Sequence, residues 1–354
     1  MRILIYLHHP AQFYLFKNVI FNLKAKGHHV QVVATKKDVL EDLLQNAGIE
    51  YKNFLPHGRK DNKFSMAMGL LKQDFKLFAE CLAHRPDLMI GTSAEICHVG
   101  FVLRIPSILV NEDDADVVPL LGKIAHPFAN YLLAPDVCNT GNPGKTIHYK
   151  GYHELSYLHP SVFTPDKTIA KKYLNPDEPY FILRFAKLTA HHDTGIKGID
   201  NIMAMRLIKH MQPYGKVYIT SERKLSTELE PFRLNINPLD MHHILAFSEL
   251  FIGDSQTMSA ESGVLGIPFI RFNGFVGRIG YLRDLEDNYQ LGYGIRPDNE
   301  DLLYTTLETL LNNKNKKVEW EVKRKKMLSE KINVSEFITR LIENYPGSVT
   351  PVTP

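Results

Sequence analysis

The sequence contains no apolar run that approaches the roughly 20 residues needed to cross a bilayer. It has only three cysteines, Cys81, Cys97 and Cys138, and their odd number and spacing fit neither a disulfide framework nor a zinc site. The first residues enter an apolar segment at once and lack the cleavage site of a signal peptide. We therefore expect a cytoplasmic protein with reduced thiols.

The sequence also has little net charge. Its 42 Lys and Arg residues against 39 Asp and Glu residues give +3, too small a surplus to predict nucleic-acid binding. This surplus is compatible at most with weak peripheral contact with an anionic membrane. The length of 354 residues favours two domains over one, and no low-complexity tract interrupts them.

Short apolar runs alternate with helical patterns in both halves of the chain. Arg2–Leu7 is typical of a strand buried on both faces, and apolar residues at helical spacing follow it until Gly27. A second alternating series begins with the strand Tyr180–Phe185 and includes Leu250–Gly253 and Pro268–Phe272. The βα order predicts parallel sheets with right-handed crossovers.

A proline-rich interruption separates the two series, with Pro160, Pro165, Pro176 and Pro179 close together. We therefore expect an N-terminal Rossmann-like domain over residues 1–155 and a C-terminal nucleotide-binding domain over residues 166–332. Open α/β sheets bind ligands outside the carboxyl ends of their strands. The predicted fold class is α/β, with two Rossmann-like parallel-sheet domains facing across a ligand-binding cleft.

The most informative segment is LFIGDSQTMSAESGVLGIPFIRF, in which a strand, a polar turn and a helix follow one another. Unpaired N–H groups and the positive end of the helix dipole form an anion site there. The hydroxyls of Ser255 and Thr257 add donors, and Glu261 is spaced to accept hydrogen bonds from ribose hydroxyls. The alternative is that the turn only caps the helix and that Glu261 is a solvated residue.

This segment resembles the donor-nucleotide signature of GT-B-fold proteins. It is similar to D-S-G-G-x-x-E-E…L-G-x-P of the UDP-N-acetylglucosamine 2-epimerases. It is also similar to S-x-x-T-x-x-E of the glycosyltransferase that completes the lipid-linked peptidoglycan precursor. The resemblance implies that Ser255, Gln256 and Thr257 bind phosphate and that Glu261 binds ribose.

The N-terminal half extends the resemblance. LHHPAQFYLFKNVIFNLKAKGHHV, PDLMIGTSAE and IPSILVNEDDA resemble blocks of a bacterial and archaeal family labelled domain of unknown function 354, which is placed among GT-B proteins. GT-B chains usually send their last helix back to the N-terminal domain. The resemblance therefore implies that a C-terminal helix over residues 333–346 does so here.

Candidate catalytic residues in the first half follow predicted strands. His8 and His9 follow the first strand; His9 is a candidate general base and His8 a candidate ligand, unless they only begin a helix. Glu112 and Asp113 follow another strand and are candidate carboxylate bases, unless they only cap the next helix. Ser93 lies in a turn where the epimerases have an essential Asp, and this departure counts against 2-epimerisation.

In the second half, cations follow the strand that begins at Tyr180. Arg184 is expected to neutralise a leaving diphosphate, with Lys187 close behind it. His191 and His192 predict an active-site loop; metal binding is the less favoured alternative because adjacent imidazoles point apart and no third ligand stands at helical spacing. Arg278, in a Gly-rich loop after a strand, is a second-tier sugar ligand.

The apolar residues of Phe64–Leu82 recur at roughly helical spacing: Met66, Leu70, Leu71, Phe75, Phe78 and Leu82. We expect a helix that faces the core, in preference to one that docks on a membrane.

These features predict a metal-independent, GT-B-type glycosyltransferase-like enzyme without a cofactor. It would use a nucleotide-diphospho-sugar donor, expected to be UDP-linked, and an acceptor that the sequence does not identify, in cell-surface glycan or glycoconjugate synthesis. One alternative is an epimerase or hydrolase that acts on the sugar nucleotide itself. Another is a non-catalytic protein that binds nucleotide-sugars. The oligomeric state is left open.

Overall fold

The computed structural model describes residues 1–35, 39–54, 63–186 and 198–349, and only the backbone of residues 63–67. The chain divides into two compact units. The first comprises Met1–Tyr157 together with Ile332–Pro354, and the second comprises Leu158–Lys331. Each unit contains one sheet in which all paired strands are parallel.

The sheet of the first unit has seven strands in the order β3-β2-β1-β4-β5-β6-β7. These are β1 (Arg2–Leu7), β2 (His29–Ala34), β3 (Lys52–Asn53), β4 (Leu88–Gly91), β5 (Ser107–Val110), β6 (Tyr131–Pro135) and β7 (Thr146–Tyr149). The helices between them are α1 (Pro10–Ala25), α2 (Leu40–Asn46), α3 (Lys63–His84), α4 (Ala94–Leu103) and α5 (Pro119–Ile124). Strands β4 and β5 are buried at every position, as expected of a parallel sheet covered on both faces.

The sheet of the second unit has five strands in the order β12-β11-β10-β8-β9. These are β8 (Tyr180–Phe185), β9 (Lys216–Ser221), β10 (Leu250–Gly253), β11 (Phe269–Phe272) and β12 (Gly292–Ile295). Its helices are α6 (Lys167–Ala170), α7 (Asn201–Met211), α8 (Met241–Leu245), α9 (Gln256–Leu265), α10 (Gly280–Arg283), α11 (Glu300–Asn312) and α12 (Lys316–Glu330). The predicted class of two parallel-sheet α/β domains is confirmed.

The last helix, α13 (Val334–Glu343), packs against α1 within the first unit. A salt bridge of 2.6 Å joins Lys26 Nζ to Glu343 Oε2. The approach is close at Gly151, where a Cβ atom would lie 2.6 Å from Cγ2 of Val334. A side chain at position 151 would therefore require Val334 to shift.

Two edge strands, β7 and β12, are missing from the sequence prediction. Strand β12 reads GYGI, and β7 reads TIHY with three of its four residues at least partly exposed. Neither has the continuous apolar pattern on which the prediction relied. Both strands form because each pairs in parallel with the neighbouring strand of its sheet.

Helix α3 differs from the expectation that its apolar residues face the core. Leu77 and Cys81 are buried, whereas Leu71, Phe75 and Leu82 are exposed. The reason is that apolar residues occur on two faces of this helix, and only one face packs on the sheet. No helix among the described residues is long and apolar enough to span a membrane.

A buried ion pair lies between β11 and the segment that leads to β12. Arg271, which is fully buried, forms two parallel hydrogen bonds with Glu286, Nε to Oε1 at 2.8 Å and Nη2 to Oε2 at 3.0 Å. Gly294 leaves room for this carboxylate, which a Cβ atom there would overlap. Burial raises the pKa of Glu286, and the adjacent guanidinium charge opposes the rise.

We expect Glu286→Gln to lower the free energy of unfolding by about 3–5 kcal/mol, because it leaves the buried charge of Arg271 uncompensated. The measurement is urea unfolding of the full chain. The matched control is Asp287→Asn, which breaks the exposed Arg283–Asp287 pair and should change little. Equal losses of unfolding free energy in Glu286→Gln and Asp287→Asn would contradict the conclusion that burial makes the Arg271–Glu286 pair important for stability.

Candidate functional site

Three strand ends of the second unit are joined by one buried carboxylate, Asp254. Its Oδ1 accepts a 2.6 Å hydrogen bond from the N–H of Ala186, directly after β8, and its Oδ2 accepts one of 3.3 Å from the N–H of Ile199. Its backbone carbonyl accepts a 2.9 Å hydrogen bond from Nδ2 of Asn273, directly after β11. Asp254 thus holds the backbone at the carboxyl edge of this sheet.

Helix α9 begins immediately after Asp254. Ser255 is its N-cap, and its Oγ accepts a 3.4 Å hydrogen bond from the N–H of Met258. The side chains of Ser255, Gln256 and Thr257 are half-buried, at the positive end of the helix dipole. The capping role considered from the sequence is present, and the first turn also has the N–H groups of an anion site.

Glu261 lies on the second turn of α9 and is buried, so it is not a solvated residue of the helix surface. Its Oε1 lies 2.9 Å from Nε2 of His242, a buried residue of α8. A side chain from a separate helix, His242, therefore holds this carboxylate in one orientation. Because the carboxylate is already oriented, accepting hydrogen bonds from a ligand would cost little further conformational entropy.

Arg184 is in register with Gly253 on one side and with Thr220 on the other, near the carboxyl ends of three strands. Its Nη2 forms a salt bridge with Glu222, whose side chain is about half exposed. Among the described residues, its buried Nε has no hydrogen-bond partner, and the buried Oγ1 of Thr220 has none either. Buried donors normally have partners, so these two atoms indicate a polar site at this edge.

Four candidates of the second half remain. Lys187, His191 and His192 lie outside the described residues. Arg278 is exposed, and its guanidinium lies 5.6 Å from the ring centroid of Phe275. No group of three His, Cys, Asp or Glu side chains suited to a metal ion occurs among the residues with described positions.

A second polar cluster follows strands β5, β6 and β7 of the first unit. Oε2 of Glu112, after β5, lies 3.1 Å from Nδ1 of His153, after β7, and 3.4 Å from the backbone nitrogen of His153. Between these two strand ends, Sγ of Cys138 donates a 3.0 Å hydrogen bond to the Glu112 carbonyl. Within the part of the chain that the structure describes, the buried Nε2 of His153 has no hydrogen-bond partner.

Burial sets the protonation of this pair. It raises the pKa of Glu112 well above its usual value, and the negative charge of Asp113 raises it further. Burial also lowers the pKa of His153 to about 4. Both shifts favour the uncharged forms, a neutral imidazole beside a carboxyl that holds its proton more tightly than in water. A general base works best when its pKa lies close to the ambient pH, and this shift moves Glu112 in that direction.

The first two histidines are hydrogen-bonded to the helix that they precede. Nδ1 of His9 accepts a 3.2 Å hydrogen bond from the N–H of Ala11 and thereby caps α1. The backbone N–H of His8 donates to Oε1 of Gln12 at 2.7 Å. Neutral His9 then carries its proton on Nε2, so it offers a hydrogen-bond donor and not a basic nitrogen.

The other two candidates of the first half lie at the same sheet edge. Asp113 is half-buried, and its N–H donates a 3.3 Å hydrogen bond to Oδ1 of Asn111 in a local turn. Ser93 is buried at the N-cap of α4, and its side chain makes no capping hydrogen bond. The structure brings Glu112 together with His153, a partner that the sequence analysis did not identify.

Four residues of these clusters were missed from the sequence: Asp254 as an anchor, Asn273, His242 and His153. The first two follow directly after strands, which is a signal that the analysis used elsewhere. His242 and His153 follow no strand directly, and histidine pairs are frequent in this chain. Only the folded backbone shows which carboxylate each of them contacts.

Several solved structures have a fold similar to that of this chain. A putative UDP-N-acetylglucosamine 2-epimerase from Listeria monocytogenes superimposes with a TM-score of 0.72 at 14% identity, over 99% of this chain and 98% of that chain. The UDP-GlcNAc 2-epimerase from Neisseria meningitidis bound to UDP-GlcNAc gives 0.64 at 15% identity, over 97% and 100%. The spinosyn rhamnosyltransferase SpnG with spinosyn aglycone gives 0.64 at 14% identity, over 97% and 100%.

These similarities and the two parallel sheets define the class of the protein, which has a GT-B fold. Residues 1–330 match the family described as Protein of unknown function (DUF354), and the chain belongs to that family. A search of the curated proteins gives no match.

We expect the buried carboxyl of Asp254 to make the stability of the protein depend on pH. Burial raises the pKa of Asp254 to about 6, although the backbone N–H of Ala186 opposes the rise. The folded protein thus holds this proton more tightly than the unfolded chain, where the pKa is 3.8. The protonated carboxyl of Asp254 therefore contributes its full stabilisation below about pH 3.8, and this contribution is lost as the pH rises through about 6.

We expect the parent to lose up to about 3 kcal/mol of unfolding free energy relative to Asp254→Asn between about pH 4 and pH 7. The variant serves as the control because its side chain does not titrate. The measurement is urea unfolding of both proteins across this range. A stability difference that does not change with pH would show that Asp254 does not titrate in this way.

The environment of His153 gives a second pH prediction. Its imidazole should stay neutral from about pH 5.5 to pH 8, because burial holds its pKa near 4. Nitrogen-15 chemical shifts of the ring, assigned by comparison with His153→Gln, measure the protonation state directly. A titration midpoint near the ordinary histidine value would contradict the described burial of the pair.

Proposed function

We propose that the protein is a glycosyltransferase-like enzyme that uses a nucleotide-diphospho-sugar donor, in the cytoplasm and without a metal cofactor. The observation that carries the proposal is the cluster at the carboxyl edge of the second sheet. A helix N-terminus and an arginine lie at the ends of neighbouring strands, and an oriented carboxylate lies on the second turn of that helix. These groups match the diphosphate and the ribose of such a donor.

The donor would be held by the second unit. The first turn of α9 and the hydroxyls of Ser255 and Thr257 would bind the diphosphate, with Gln256 beside them. Arg184, which already has one carboxylate partner, would offer its remaining N–H groups to the departing phosphate oxygens. Glu261, oriented by His242, would accept hydrogen bonds from the ribose.

The first unit would supply the base that activates the acceptor. Glu112 suits this role better than His9, because the accepting nitrogen of His9 is used in capping α1. The base takes the proton of an acceptor hydroxyl, whose oxygen forms a bond to the anomeric carbon of the sugar. The bond from that carbon to the diphosphate oxygen breaks, and its electron pair leaves with the nucleoside diphosphate.

The names of the solved structures agree with this proposal and also supply its rival. One is a rhamnosyltransferase, and two are 2-epimerases, of which one is named as bound to UDP-GlcNAc. The similarity to the Listeria protein favours epimerisation as a second candidate. Transfer is preferred because the turn at Ser93 lacks the carboxylate that the resembled epimerases have there.

Turnover distinguishes these candidates. The purified protein is first screened by thermal shift against nucleoside diphosphates and diphospho-sugars, because a ligand that binds the folded state raises the midpoint. The ligands that bind are then incubated with the protein and followed by NMR. Release of nucleoside diphosphate supports transfer or hydrolysis, a change at the sugar C2 supports epimerisation, and binding without either supports a sensor.

The sharpest prediction concerns the ribose carboxylate. We expect Glu261→Gln to weaken UDP binding roughly ten- to hundredfold, because charge-assisted hydrogen bonds of about 1.5–3 kcal/mol are lost. The glutamine variant is used because alanine would also remove the buried partner of His242. Isothermal titration measures the affinity, and thermal unfolding checks that the variant remains folded.

Two controls accompany this measurement. Glu321→Gln, at an exposed pair with Lys325 on α12, should leave UDP binding unchanged. The 2′-deoxy analogue should bind the parent more weakly but lose little further affinity in Glu261→Gln, because both changes remove the same contact. Equal affinity of the parent and Glu261→Gln for UDP would refute the assignment of the ribose site.

A further inference from the structure

Helices α3 and α4 of the first unit expose a group of large apolar side chains. Their exposed fractions are 74% for Phe75, 66% for Val102 and 62% for Phe101, with 52% for Met68 and 51% for Leu71. Phe128, which follows α5, is 37% exposed. We call these six residues the apolar face. Single exposed apolar residues are ordinary, but a connected group of this size marks a binding surface.

The three segments that carry this face are in contact with one another. The rings of Phe101 and Phe128 lie 5.4 Å apart in an edge-to-face arrangement. His98 on α4 joins the three segments, with Nδ1 3.1 Å from Oδ2 of Asp74 on α3 and Nε2 2.7 Å from the carbonyl of Ile124 on α5. On α3 itself, Met68, Leu71 and Phe75 lie three or four residues apart and therefore on one side of the helix.

The exposed ionised side chains described on α3, α4 and α5 are all cations. Lys72 on α3, Lys123 on α5 and Arg104 directly after α4 are exposed. Among the side chains described for these three helices there is no exposed acid. Asp74 is paired with His98, and Glu80 and Glu95 are buried.

We propose that the apolar face docks the protein on the surface of an anionic lipid bilayer. Aromatic and aliphatic side chains would enter the boundary between headgroups and acyl chains, and the three cations would contact lipid phosphates. A second copy of the chain fits less well, because its equivalent face would bring cations of the same sign against these. The proposal does not depend on the reaction that the protein catalyses.

The test uses the full-length protein and sedimentation with vesicles. One set of vesicles contains phosphatidylcholine and phosphatidylglycerol, and the other contains phosphatidylcholine alone. We expect clear binding to the first set, weaker binding to the second, and loss of binding as salt is added. Lys72→Gln should reduce the partition coefficient roughly fivefold, the share expected for one basic residue at an anionic surface.

Phe75→Ser and Phe101→Ser should each reduce binding to anionic vesicles at least about tenfold, because each removes a large apolar group from the lipid boundary. Both side chains are exposed, so the thermal midpoint should hardly change. Matched controls are Ile202→Ser and Val318→Ser, whose side chains are 69% and 66% exposed in the second unit, and these should bind like the parent.

Several outcomes would overturn the proposal. One is a parent that does not bind anionic vesicles at low salt, and another is binding that Phe75→Ser, Phe101→Ser and Lys72→Gln all leave unchanged. A third is a dimer of the parent, seen by light scattering, that Phe75→Ser converts to a monomer. In that case the apolar face would be an interface between two copies. The measured quantities do not involve nucleotide, so a failure of the proposed reaction would not affect them.

Discussion

One buried residue, Asp254, organises the carboxyl edge of the sheet in the second unit. Asp254 accepts hydrogen bonds from the backbone after β8 and from the backbone ahead of α7, and its own carbonyl accepts one from Asn273 after β11. Parallel strands end with unpaired peptide groups at one edge, and these groups need partners when they are buried. By satisfying them, Asp254 fixes where the next residue, Ser255, begins helix α9.

In both polar clusters one carboxylate is paired with a histidine. Glu261 contacts His242 in the second unit, and Glu112 contacts His153 in the first. In each pair the histidine lies on a separate element from the carboxylate. A buried carboxylate without a partner would be costly, and a partner from another element also limits its orientation.

The sequence predicted the strand-turn-helix segment around Ser255 more fully than the first-unit cluster, and for a local reason. Ser255, Thr257 and Glu261 lie within one strand-turn-helix segment, so their relative positions follow from helix geometry. Glu112 and His153 are 41 residues apart, and their contact requires β5, β6 and β7 to lie side by side. Helix α3 shows a related limit, because its pattern did not indicate which of two apolar faces would be buried.

The resemblance to GT-B proteins indicated the fold family. By itself, the sequence determined the α/β class, the parallel arrangement of most strands and the segment that begins at Asp254. These features follow from local periodicity and from residues that are close together in the chain. Only the tertiary structure decided which histidine contacts which carboxylate, that Glu261 is buried, that β7 and β12 pair at the sheet edges, and that Phe75 is exposed. These outcomes depend on contacts between distant residues, and burial of that kind has no signature in a short stretch of sequence.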